Sequence, residues 1–219
     1  MKARHLILVM GFFSSLFGGS SKPQVSAAEP PPAANPINPA KIYPYVIPAA
    51  YLKHQPAKPE GMTYPLGNGL YVTLIQNLDG LAGSIRGEDL AAAKLTPKEA
   101  HARAVENLVI LVKSGAITMR LFKGPQEKPF IIFTDHWLAA ACVLLPDLRT
   151  LATKNLGTER FCICLPQRDS MLLFPSADEA FRTEMMSIIR KNETDARKPL
   201  SFGLFQLDAN GIHEFKDAK

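Results

Sequence analysis

The chain has 219 residues, 25 of them basic and 20 acidic, for a net charge of +5. Part of that excess sits in the first 28 residues: setting aside Lys2, Arg4 and Lys22 leaves 22 basic against 20 acidic residues, or +2. A balance so close to neutral, with no zinc-finger spacing and no aromatic-basic stripe, excludes the concentrated basic face that nucleic-acid binding needs.

The N-terminus reads as a secretory signal peptide. Lys2, Arg4 and His5 form a positive start, Leu6–Phe17 an apolar run, and Ser26-Ala27-Ala28 a small-x-small cleavage pattern. The apolar run, about 12 residues, is short of the roughly 20 that a spanning helix needs. The expectation is an exported, bacterial-type protein, periplasmic or secreted, cleaved after Ala28, with retention of the segment as an anchor as the alternative. No run downstream is long enough to cross a membrane.

Residues 29–65 carry 10 of the 18 prolines, starting with Pro30-Pro31-Pro32. Proline fixes φ and lacks a donor, so the first half should be an extended tether. Ile42-Tyr43-Pro44-Tyr45-Val46-Ile47 is too apolar to remain in water and should pack as an extended arm. Residues 66–219 then form one domain of ordinary size, without internal repeats.

Within that domain Gly67-Asn68-Gly69 marks a turn, and Leu70–Ile75 is β-branched and aromatic enough for a strand. Asp79-Gly80 and Gly83 mark a loop, and Glu88–Ala93 can make one or two helical turns. Thr96-Pro97-Lys98-Glu99 is a capping box with proline at the first helical position. The helix it opens should run to Ser114-Gly115. Ala116–Phe122 and Phe130–Phe133 read as strands around Gly124-Pro125. A second helix is expected over Trp137–Leu145, capped by Thr134 or Asp135, with Asp147–Lys154 continuing beyond Pro146. Phe161–Leu165 and Met171–Phe174 should form a hairpin. Ser176-Ala177-Asp178-Glu179 reads as another capping box, above the apolar stripe Phe181, Met185, Ile188 and Ile189. Phe202–Leu207 and Ile212–Phe215 complete a last hairpin across Asn210-Gly211. The mixture lacks a regular βαβ rhythm and predicts an α+β domain with a mostly antiparallel sheet packed by helices.

Common catalytic signatures are absent: no nucleophile elbow, Walker loop, H-E-x-x-H or dinucleotide fingerprint occurs. No cofactor or metal site is read from the sequence. Cys162 and Cys164 stand two apart on an expected strand and so share a face. Burial as small hydrophobes is the favoured reading, with a disulfide to Cys142 left open and a metal or redox pair the alternative. His5, His54, His101, His136 and His213 are scattered. A His136–Cys142 dyad is poor helical geometry, since six residues turn the side chains about 120° apart. Lys191–Lys198 reads as a solvated helix end, and Asn192-Glu193-Thr194 matches a glycosylation sequon.

Four candidate site residues remain. Asp135 and His136 open a helix beside Trp137, where a neutral imidazole can be presented. Arg168 and Asp169 occupy a turn between apolar strands: Arg168 could clamp a carboxylate, with Asp169 orienting it or a polar ligand. The favoured alternative is that Asp169 caps its own turn and Arg168 is solvated or packs across the hairpin.

The segments LYVTLIQNLDG and LTPKEAHARAVENL, and later TDHWLAAACVLLPDL and CLPQRDSMLLF, resemble the bacterial YtpQ-like family, a family of unknown function. Leu95, Thr96, Glu99, His101, Ala104, Asn107 and Leu108 look like its helix motif. Thr134-Asp135-His136-Trp137 looks like its helix start, with threonine where glycine is usual, and Pro166, Arg168 and Asp169 look like its Pro-x-Arg-Asp turn. Members of that family are typically cytoplasmic, and it has no established activity, cofactor or partner. The resemblance therefore implies a domain outline and a residue shortlist, not a reaction.

Two functions are expected in order of preference. The first is a non-catalytic extracytoplasmic binding domain for a protein or a small polar ligand. The second is an envelope-associated hydrolase, which requires the Asp135-His136 and Arg168-Asp169 elements to meet in one pocket.

Overall fold

The computed structural model describes residues 36–53, 61–193 and 198–216. The expected signal peptide, Pro30-Pro31-Pro32, His54 and Thr194 of the sequon lie outside the described residues. The fold is α+β: a single domain of antiparallel sheet packed against helices.

The first sheet is built around β3 (Leu70–Leu78). β1 (Ile42–Pro48) pairs along one side of it, while β2 (Thr63–Gly67) and β4 (Leu81–Ser84) share the other. The apolar arm is thus a strand, followed by the single turn α1 (Ala49–Leu52). Pro44 and Pro48 cannot donate to a ladder, which suits β1 to a sheet edge. That edge is sealed by Asn107, whose Nδ2 donates to the carbonyls of Pro39 and Ile42 at 2.8 and 2.9 Å. Asn107 belongs to α3 (Pro97–Lys113), which follows the short α2 (Gly87–Ala92). The Thr96 hydroxyl accepts from Glu99 N–H at 3.3 Å and the Glu99 carboxylate accepts from Thr96 N–H at 2.8 Å, completing the expected capping box.

The second sheet holds six strands in the order β10-β9-β7-β8-β6-β5. They are β5 (Thr118–Lys123), β6 (Pro129–Thr134), β7 (Phe161–Gln167), β8 (Ser170–Pro175), β9 (Pro199–Asp208) and β10 (Gly211–Glu214). α4 (Leu148–Leu156) follows the segment after β6, and α5 (Glu179–Glu193) follows β8. Alternation along the central strands divides two cores. Phe161, Ile163, Leu165, Met171 and Leu173 face the first sheet, α4 and the Ala139–Cys142 segment; Cys162, Cys164, Leu172 and Phe174 face α5. The β2–β3 turn docks on β9, where Asn68 Nδ2 donates to Leu204 O at 2.9 Å. A Cβ on Gly203 would come within 2.6 Å of the Asn68 side chain, so this approach requires glycine.

Two expectations are corrected. The helix expected over Trp137–Leu145 is only a 3-10 turn at Ala139–Leu144. Asp135 has φ +66° and cannot act as an extended N-cap. His136 Nδ1 takes the Leu138 N–H, and Ala140 N–H donates to the Arg168 carbonyl, so these amides serve a tertiary contact. Helix α5 is capped not by Ser176 but by Asp178, whose Oδ1 accepts from Phe181 N–H at 3.0 Å. Ser176 instead stays with the sheet, its N–H donating to the Arg160 carbonyl.

Candidate functional site

Asp135, His136 and Asp169 line one cleft of about 570 Å³; Arg168 does not. The cleft lies on the α5 side of the six-stranded sheet, where β5, β6, β8 and the last turn of α5 converge. Sequence order hides this convergence, because β8 pairs with β6 across 37 or more intervening positions (Phe133↔Met171).

The rim is an ion pair. Arg120, on edge strand β5, reaches the Asp135 carboxylate at 2.6 Å, with both side chains about half exposed. The left-handed turn at Asp135, tolerated by aspartate, ends β6 and starts the chain along the rim. His136 follows, stacked on Trp137 at 5.8 Å between ring centroids. Because its Nδ1 accepts from Leu138 N–H at 3.1 Å, that nitrogen is unprotonated and the proton of the neutral ring sits on Nε2. Burial holds its pKa below the ordinary histidine value, against the opposing pull of Asp169. At neutral pH His136 is therefore an uncharged donor.

The floor is β8. Ser170 is in phase with Leu172 and Phe174, and so points to the α5 side. Ser170 is 6% exposed, and its Oγ is buried without a hydrogen-bond partner. Beside it, Oδ1 of Asp169 is also buried and unpartnered, so the carboxylate does not cap its turn through that oxygen. The far wall is Gln167 and Glu193. The Gln167 amide donates to Glu193 Oε2 at 2.6 Å. Burial, and then the charge of Asp169, push the Glu193 carboxyl above its usual range.

Arg168 turns to the opposite side and is 8% exposed. Its Nη1 donates to the Tyr45 hydroxyl at 2.7 Å, and its guanidinium lies 4.9 Å from the Tyr45 ring and 4.6 Å from the Tyr51 ring. Arg168 is neither a clamp at the cleft nor solvated: it clasps the N-terminal arm. Arginine suits this role because its planar, weakly hydrated cation stacks on aromatic faces.

The cysteines stay reduced and buried. Cys142 lies in the core between the sheets and Cys162 and Cys164 in the core under α5, on opposite faces of β7, which rules out the open disulfide to Cys142 in this fold. Burial pushes the thiols of Cys142 and Cys164 up to about 12, far from a reactive thiolate. His101 is committed elsewhere, with Nε2 3.1 Å from the Gly61 carbonyl and its ring 5.1 Å from that of Tyr64. Among the described residues no group of three or more His, Cys, Asp or Glu side chains could hold a metal ion, and no helix is long and apolar enough to cross a membrane.

Sequence reasoning missed Arg120, Gln167, Ser170 and Glu193. Ser170 alone left a trace: a serine in phase with the buried Leu172 and Phe174. Chemically the cleft offers the carboxylates of Asp169 and Glu193 as acceptors, neutral donors on Thr134, His136, Trp137 and Ser170, and apolar flanks at Ile132 and Leu172. The chain matches no family model, no curated protein and no solved structure.

Proposed function

We propose that this protein is a non-catalytic binding protein whose cleft between β5, β6, β8 and α5 takes a small polar ligand. The observation that carries the reading is the pair of orphaned oxygens, Asp169 Oδ1 and Ser170 Oγ, buried together at the cleft. A buried polar atom without a partner costs about 1–3 kcal/mol, and native folds leave few of them. Here both border a cleft, where a ligand's N–H or O–H groups would supply the missing partners. The signal-like N-terminus supports an exported setting, and the likeness to the YtpQ-like family is compatible with a binding role.

A hydrolase at the same place draws support from the meeting of Asp135, His136 and Asp169 in one cleft. The binding reading is favoured because His136 spends its basic nitrogen on Leu138 N–H. Ser170 Oγ, buried there without a partner among the described residues, accordingly has no base bonded to it.

The test is Asp169→Asn, which removes a charge facing Glu193 while keeping the shape. The raised Glu193 pKa means that the folded state holds its proton more tightly, so stability falls as pH rises from the ordinary glutamate value of about 4.5 through the folded value. Asp169→Asn should shrink that fall and raise stability at neutral pH, because the like charge facing Glu193 is gone. It should also abolish ligand-induced stabilisation in a thermal screen of small amines, polyols and carboxylates. A variant that is destabilised, yet still stabilised by the same compounds as wild type, would refute the reading.

A further inference from the structure

The walls of the cleft are electrostatically lopsided. Among the described residues that line the cleft Arg120 is the one cation, and it pairs with Asp135 at the rim; His136 is neutral, so no lining cation is left for Asp169 and Glu193. The amide of Gln167 is the group that meets Glu193. A second observation, independent of the acidic groups, is Ser170: 94% buried, its Oγ unpartnered and lining the same cleft. Hydroxyl and carboxylate oxygens together are the partners an ammonium takes, since –NH3+ carries three donors and no acceptor.

The cleft does not end at Glu193. A second hollow of about 290 Å³ shares Ile132, Leu172 and Glu193 with it and continues between β6 and α5 along Phe130, Met185 and Ile189. Its lining is mostly hydrocarbon and aromatic ring, with Asn192 and Lys123, the latter paired with Glu127, as the polar members besides Glu193, and Ile188 is 41% exposed. Phe130 is stacked on Phe122 at 5.6 Å, which fixes the aromatic edge of this trough. Polar acceptors at one end and a strip of apolar side chains at the other describe a complement to an amphipathic cation.

We infer that the ligand is an organic ammonium with a short hydrocarbon tail: the ammonium donates to Asp169 Oδ1, Ser170 Oγ and the free oxygen of Glu193, and the tail runs along Ile132, Leu172 and Phe130. The inference rests on the binding reading above and adds the sign and shape of the ligand. It accounts for both orphaned oxygens with one group, which neither a carboxylate nor an apolar compound would do. A carboxylate would face Asp169 and Glu193 with like charge.

Isothermal titration of the full chain with n-hexylammonium, 1-hexanol, hexanoate and calcium chloride tests it. Hexylammonium should bind, and affinity should rise roughly three- to fourfold for each methylene from propyl- to hexylammonium, the increment for burying a CH2 group. Asp169→Asn should weaken it roughly ten- to a hundredfold, the worth of a hydrogen bond to a charged group, and Ser170→Ala should weaken it less. Retention of wild-type affinity in both variants would overturn the inference. Binding of hexanol or hexanoate but not the amine, lost in Ser170→Ala, would overturn the ammonium assignment and leave the polar-cleft reading standing. Calcium binding without amine binding would likewise overturn it in favour of a hard-cation site. Absence of binding by every probe would overturn both.

Discussion

Phe181→Ala should destabilise the protein by about 3–5 kcal/mol, the usual cost of removing a buried ring. Phe181 is fully buried. Its ring meets Phe174 edge-on at 6.1 Å between centroids, and the Lys128 ammonium sits 5.4 Å from its centre. With Met185, Met186 and Ile189 it is the apolar stripe that holds α5 on the sheet. Three effects are lost together: the transfer energy of the ring, the aromatic contact, and the filling of a cavity that β8 cannot collapse into without breaking its ladder. The same helix carries Glu193 to the cleft, so the substitution should also loosen the far wall. Chemical denaturation measures the first effect, and faster amide hydrogen exchange along α5 the second. Phe181→Leu, which keeps most of the volume, should cost distinctly less. Equal losses in the two variants would mean that volume is not what holds the helix.

Arg168→Ala is the second large effect, about 2–4 kcal/mol. A hydrogen bond from a charged group contributes about 1.5–3 kcal/mol, and each cation–π contact roughly 0.5–1 at a partly exposed site. Arg168 makes the bond to Tyr45 and stacks on both Tyr45 and Tyr51. The bond to Tyr45 spans 123 positions of sequence, and the contacts together tie the β7–β8 turn to β1 and α1. Their loss should free the N-terminal arm, seen as new proteolytic cleavage near Tyr51 and Lys53 together with a lower denaturation midpoint. Arg168 Nε, however, is buried without a partner, so part of the guanidinium's desolvation is uncompensated. Arg168→Met, which keeps the stem and omits the charge, should therefore recover a substantial part of the loss. Arg168→Lys should not, because it retains the charge and loses the planar face. Ligand binding at the cleft should survive in Arg168→Met, since the side chain points away from it.

How much of this was legible in the sequence depended on whether the signal was local. The α3 capping box involves residues three apart, and the hairpin of β7 and β8 needs only two apolar runs and a polar turn. Both were readable. The stretch after Asp135 was read as a helix from its alanines and leucines. Composition could not reveal that Ala140 N–H is taken by the Arg168 carbonyl, or that His136 caps Leu138 through its ring. The α5 cap was misread because Ser176 and Asp178 both fit local rules, and the ion pair of Asp178 with Lys128, 50 residues away, helps hold Asp178 at the helix start. At the cleft, Asp135, His136 and Asp169 were found from short motifs. Arg120 and Glu193 were not, because only the β8–β6–β5 strand order brings them together. The partners of Arg168 are illegible for the same reason: nothing near it in sequence announces two tyrosines from the arm.

The central claim is that the cleft around Asp169 and Ser170 is where this protein meets its ligand. The most direct measurement is an amide chemical-shift map of the full, isotope-labelled chain titrated with n-hexylammonium and, separately, with a neutral polyol of similar size. The account predicts saturable shifts at His136, Asp169, Ser170 and Glu193, larger for the amine, while a separate groove of about 380 Å³ lined by Arg182, Met186, Phe202 and Phe215 is left unchanged. Saturable shifts confined to that second groove, or none at any of the four cleft residues with either compound, would contradict it.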